Sequence, residues 1–154
     1  MDFELLLFSE KSQKDYAYYL MEIFEKSLNI HFKFIEDQDF INLCLDCMTI
    51  TIDLEEKVAL EVIEEEFNFV ADTSARIQVF SQFRDHALQI LFKTINEIVK
   101  NIDYNLLLIG NGSNLILEKK NNNYYTSCLD DYYYFKIPFE LLGVKIEEIK
   151  RKKS

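Results

Sequence analysis

Leu106-Leu107-Leu108-Ile109-Gly110-Asn111-Gly112-Ser113-Asn114-Leu115-Ile116-Leu117-Glu118 decides the fold of this chain. The four opening residues form an apolar run of strand length, buried on both faces if the strand is central. Asn111 and Gly112 both tolerate positive φ, the condition for a tight hairpin turn, and Leu115 to Glu118 makes the returning strand. The same turn resembles a phosphate loop only on the surface. A nucleotide-binding loop needs a helix after it, whose free amides hold the anion, and here a strand follows. Neither a third glycine nor a Gly-Lys-Ser/Thr step is present.

Upstream of the hairpin, Ala87, Leu88, Leu91, Phe92, Ile95, Ile98, Val99 and Ile102 form one wide apolar stripe at helical spacing. It is long enough for about five turns. A second amphipathic helix is expected from Tyr16 to about Leu28, through Tyr19, Leu20, Ile23 and Phe24. Ser9 or Ser12 is its cap, and Asp15 suits its first turn. Strands are expected at Phe3 to Phe8, Ile30 to Phe34, Phe40 to Leu45 and Met48 to Ile52. In the last of these, Met48, Ile50 and Ile52 share one face and Thr49 and Thr51 the other. Val58 to Glu66 stays open: Leu60 and Ile63 suit a helical turn, while Val58, Leu60 and Val62 also alternate. Phe67-Asn68-Phe69 and Ala75 to Phe80 read as strands around a turn at Asp72-Thr73-Ser74, and Tyr124 to Cys128 as a strand after the turn at Asn121 to Asn123. Pro138 introduces a short terminal segment with Leu141, Leu142 and Ile146. The expected architecture is α+β, two amphipathic helices packed on a mostly antiparallel sheet, as a single domain over residues 1–154.

Composition bounds the function. Of the 154 residues, 49% are hydrophobic, ample for a core, and only three glycines and one proline interrupt them. No apolar run approaches the roughly 18–20 residues of a membrane span. Met1-Asp2-Phe3-Glu4 lacks the basic start of a signal peptide. Three cysteines, an odd number, suit a reducing compartment, so the expected location is cytoplasmic. The chain holds 27 acidic and 17 basic residues. Eleven of the acidic residues but only one basic residue, Lys57, fall between Glu36 and Glu66, which leaves 16 of each sign elsewhere. The whole net charge of −10 therefore belongs to one fifth of the sequence. Such a field repels nucleic acid and anionic lipid and attracts basic partners, although a solvated surface that only confers solubility has the same composition.

The reactive residues do not assemble into a known chemistry. Cys44-Leu45-Asp46-Cys47 has zinc-knuckle spacing, but no second pair completes four ligands, and residues three apart on a strand face opposite ways. His31 and His86, the only histidines, read as surface residues, with no nucleophile local to either. Carboxylate pairs such as Asp37 and Asp39 carry little information in so acidic a chain. No catalytic residue, cofactor or metal is expected. The aromatic run Tyr132-Tyr133-Tyr134-Phe135 suits core packing or a protein-facing patch better than base stacking.

From about Glu64 onward the sequence resembles the Sit-type immunity proteins of bacterial polymorphic toxin systems. The residues that carry the resemblance are Glu64-Glu65-Glu66-Phe67-Asn68-Phe69, the strand Arg76 to Phe80, Phe83-Arg84-Asp85 with the long helix, and Leu106 to Gly112 with its return through Lys119. The segment near Tyr124 to Cys128 and the acidic-aromatic patch after it close the match. The resemblance implies a non-catalytic protein that binds and neutralises a cognate toxin. Read with the charge, it makes the expected partner a toxin with a basic surface, with no nucleic acid and no membrane involved; a homodimer stays open. The expected contact residues are Asp37, Asp39, Asp46, Asp53, Glu55, Glu56, Glu64, Asp130, Asp131, Tyr132 and Tyr133. The alternative is a self-associating regulatory or scaffold domain of the bacterial cytosol that uses the aromatic patch.

Overall fold

Leu5, Leu6 and Leu7 are consecutive and all buried, which a strand allows only where both faces of its sheet are covered. They belong to β1 (Asp2–Phe8), the strand around which the fold is built. A computed structural model describes residues 1–55, 58–101, 103–127 and 136–149. The other strands are β2 (Lys33–Glu36), β3 (Phe40–Cys44), β4 (Met48–Asp53), β5 (Thr73–Val79), β6 (Asn105–Gly110), β7 (Asn114–Lys120), β8 (Asn123–Thr126) and β9 (Ile146–Glu148). They form one sheet of nine strands in the order β2-β3-β4-β5-β1-β6-β7-β8-β9. Every pairing is antiparallel except the last, where β9 runs parallel to β8.

The helices are α1 (Gln13–Glu22), α2 (Val58–Phe67) and α3 (Arg84–Asn101). α1 and α3 cover one face of the sheet, where Tyr16, Leu20, Leu88, Phe92 and Ile95 pack on Leu5, Leu7, Ile50, Ile77 and Leu108. α2 covers part of the other face, setting Ile63 and Phe67 on Leu6, Leu107, Ile109 and Leu115. The alternation of β1 and β6 between these two cores explains their unbroken apolar runs. α2 does not extend over β3 and β4, whose outward residues Asn42, Cys44, Thr49 and Thr51 remain only partly covered. A 3₁₀ turn at Phe139–Leu142 closes the far side of α3, with the Phe139 ring edge-on to Phe92 at 5.7 Å.

The α+β class and the mostly antiparallel sheet are as expected, but the described residues hold three α-helices rather than two. Val58 to Glu66 resolves as helix because Ile63 and Phe67, four apart, reach the second core together. Phe67-Asn68-Phe69 is not a strand. Phe67 ends α2, Asn68 takes a left-handed conformation with φ 52°, and both phenylalanines turn under the helix. Buried-exposed-buried alternation thus arises from a helix terminus.

The segment expected as a strand from Ile30 to Phe34 also shifts. α1 runs on into a π-helical turn at Ile23–Ser27, and the Ile30 amide donates back to the Phe24 carbonyl at 2.8 Å. Phe32 packs against Phe24, with ring centroids 6.0 Å apart. The apolar residues at 30 and 32 therefore belong to the helix-to-strand connection, and β2 begins only at Lys33. Ser12 rather than Ser9 caps α1, its Oγ accepting from the Asp15 amide at 3.1 Å. No helix among the described residues is long and apolar enough to cross a membrane.

Candidate functional site

The β2–β3 turn is held by its own first carboxylate. Asp37 Oδ1 accepts from the amides of Asp39 and Phe40 at 2.8 and 3.0 Å, an Asx turn of the kind aspartate favours. The Asp39 carbonyl accepts from the Leu54 amide at 2.9 Å, which carries the β3–β4 ladder one step past the Phe40–Asp53 pair. Asp53 Oδ1 then accepts from the Glu55 amide at 3.1 Å. Backbone pairing therefore gathers Glu36, Asp37, Asp39, Asp53 and Glu55 at one corner of the sheet. Among the described residues the ion pair at this corner is that of Lys14 with Glu36, Nζ 3.9 Å from Oε1 and both side chains well exposed, so the pair is weak. The exposed Tyr18 hydroxyl also donates to Glu36 Oε1, and that bond holds the phenol above its ordinary pKa.

A buried amide fixes the corner to the core. Gln13 Nε2 donates to the carbonyls of Asp53 and Ser74 at 2.9 and 3.0 Å, and Gln13 Oε1 accepts from the Ser74 amide at 2.8 Å. The first residue of α1 thus stands in for a ladder partner at the end of β4 and β5. On the far side of β1, Asp72 accepts from the amides of Ser9 and Glu10 at 2.9 and 2.6 Å, which sets the entry to α1.

Beside the acidic turn lies β2, exposed along its whole length. Phe34 is 54% exposed and Ile35 60%, on opposite faces of the strand. Sequence reasoning missed these two, as well as Lys14 and Tyr18. Phe34 reads as an inward residue of an alternating strand, and only its place at the edge of the sheet leaves it uncovered.

The remaining expected contact residues do not join this corner. Asp46 sits in the β3–β4 turn, closed by the Leu45 amide on the Met48 carbonyl at 2.9 Å. That is the opposite end of the hairpin, about 17 Å away at the rise of five strand residues. Glu64 is exposed on α2, and among the described residues no hydrogen bond or ion pair links its side chain to the turn. Glu56, Asp130, Asp131, Tyr132 and Tyr133 lie outside the described residues, as does the aromatic run containing the last two.

The other motifs resolve into structure. The Cys44–Cys47 segment does turn, yet Cys47 enters the core on the α1 face while Cys44 points to the other. Burial raises the Cys47 thiol above its ordinary pKa, opposite to the shift a reactive thiolate needs. Among the described residues no group of three or more His, Cys, Asp or Glu side chains is placed to hold a metal. His31 precedes β2 rather than lying on a strand, and His86 is in the first turn of α3; both are exposed. Asn111 and Gly112 form the β6–β7 turn, both with positive φ. Comparison with protein-family models, with curated proteins and with solved structures finds no match.

Proposed function

We propose that this chain is a non-catalytic immunity protein that binds a cognate bacterial toxin through a basic surface of the toxin. The observation that carries the reading is the convergence of Glu36, Asp37, Asp39, Asp53 and Glu55 at one corner, opposed there by Lys14. A surface that served only solubility gains nothing from concentrating its charge, because evenly spread carboxylates hydrate equally well. Concentrated charge instead speeds encounter with an oppositely charged protein and rejects like-charged ones. The resemblance of the second half to Sit-type immunity proteins supports the same role, and a reducing cytosol suits the separated thiols.

The test is co-production with the protein encoded immediately upstream of this gene. Growth should be rescued by the parental chain and lost with Asp37→Lys, Asp39→Lys and Glu55→Lys combined. Association of the purified pair should slow steeply with added salt while dissociation changes little. A folded triple variant that associates at the parental rate and still protects would refute the acidic corner as the contact, and a parental chain that gives no protection would refute the immunity role.

A further inference from the structure

The geometry points to the outer edge of β2, unpaired among the described residues, as the docking site for an extended, basic segment of the partner protein, added to the sheet as a further strand. This rests on the toxin-binding reading for its partner but on the backbone for its location. The Asp37 amide bonds to the Phe40 carbonyl at 3.1 Å, so Asp37 and Phe40 are a hydrogen-bonded pair of the β2–β3 ladder. Pairs alternate in an antiparallel ladder. Ile35–Asn42 and Lys33–Cys44 are therefore bonded pairs, and Phe34–Leu43 and Glu36–Ile41 are not. The Leu45–Met48 bond on the other side of β3 gives the same phase, since it commits Leu43 and Ile41 to β4. The N–H and C=O groups of Phe34 and Glu36 thus point away from the sheet, at the spacing an added strand requires.

The side chains beside that edge favour docking. Sheet edges are ordinarily guarded by charge or by cover. The opposite edge follows that rule: β9 is three residues long, with Ile146 partly covered and Glu147 and Glu148 exposed. β2 instead exposes Phe34 on one face and Ile35 on the other. An incoming strand would cover both with alternate side chains, main-chain bonds giving affinity and the alternating contacts giving selectivity. Its charge is set by the turn: Glu36, Asp37 and Asp39 continue directly from the edge, and Lys33 stands alone at the other end. A second copy of this chain fits less well, because it brings its own net charge of −10.

The experiment uses the full chain and a blocked hexapeptide of alternating lysine and valine as the probe. Binding is read by fluorescence anisotropy, with the glutamate-for-lysine peptide as control. On binding, the amides of Phe34 and Glu36 should gain hydrogen-exchange protection while that of Ile35, already bonded to β3, changes little. Phe34→Pro removes an outward N–H without touching a ladder bond, and should weaken the peptide about tenfold or more. Unchanged exchange at Phe34 and Glu36, no binding, or equal binding of the glutamate peptide would overturn the inference, and the exchange measurement does so without any variant having to fold. A dimer of the parental chain that Phe34→Pro dissolves would overturn the choice of partner in favour of a second copy. Toxin binding that survives Phe34→Pro but is lost on charge reversal would overturn strand addition and leave the immunity role intact. Peptide binding at the edge with no protection from the toxin would support the edge site and sink the immunity role alone.

Discussion

The Lys119 ammonium donates to Asp103 Oδ1 at 3.0 Å and to the Tyr104 carbonyl at 2.9 Å, although only 3% of its own side chain is exposed against 81% of that of Asp103. A buried cation is thereby drawn to the link between α3 and β6. The carboxylate is mostly hydrated, so its attraction is screened and its loss should be modest. Asp103→Ala is expected to cost about 1 kcal/mol in urea denaturation. Lys119→Ala should cost about 2–3 kcal/mol by leaving a cavity, and Lys119→Met, which keeps the stem, clearly less. Equal costs for the alanine and methionine variants would show that the stem contributes nothing.

Gln13 should matter more than its polar character suggests. Gln13→Leu keeps the volume but strands the Ser74 amide and two carbonyls in a buried place. A loss of about 2–3 kcal/mol is expected, the usual penalty for buried polar groups left without partners. Gln13→Glu, which keeps the acceptor but loses the donor, separates the two contributions. Thermal melts of both variants within a degree of the parent would contradict the role given to this side chain.

Two left-handed positions should respond with opposite signs. Gly112 has φ 85° and an open space where a Cβ would stand, so the cost of a side chain there is conformational rather than steric crowding. Gly112→Val should destabilise by about 1 kcal/mol or more. Asn68, at φ 52° just past α2, already bears that strain, and Asn68→Gly should recover up to about 1 kcal/mol. Chemical denaturation of the two variants side by side decides it; a destabilised Asn68→Gly would mean the asparagine side chain makes a contact worth more than the strain.

Alkaline pH should unfold the protein through its tyrosines. Burial raises the Tyr16 phenol above its ordinary pKa, and it pushes Tyr19 from 10.0 up to about 12. A raised native pKa means that the folded state holds its proton longer than the unfolded chain does. The resulting stability is complete below pH 10 and is lost as the pH climbs toward 12 and beyond. The loss approaches about 1.4 kcal/mol per pH unit for a fully buried group and less for the half-covered Tyr19. Tyr16→Phe forfeits the hydroxyl bond to the Leu5 carbonyl at neutral pH, yet its stability should fall less steeply above pH 10. Parallel slopes for parent and variant between pH 10 and 11.5 (on the order of one pKa unit above the free phenol) would rule this out.

The sequence by itself determined the elements whose periodicity is unambiguous. The stripe from Ala87 to Ile98, the hairpin at Asn111-Gly112 and the runs of β1 and β6 each admit one regular conformation that buries their apolar residues. It also established that the negative charge is concentrated, because composition along a chain needs no fold to be read. Tertiary structure alone decided whether those charges meet. Register set Asp37, Asp39, Asp53 and Glu55 at one corner and sent Asp46 to the other end of the same hairpin, since strand pairing, not sequence distance, fixes neighbours. It likewise decided that Phe67 and Phe69 share a core across a helix terminus, and that Phe34 lies exposed although its alternation with Lys33 matches that of buried strands. Alternation records which side chains share a face. Whether anything covers that face depends on the order of strands in the sheet: β2 pairs with its hairpin neighbour β3, and it is the pairing of β4 with the distant β5 that leaves β2 on the outside.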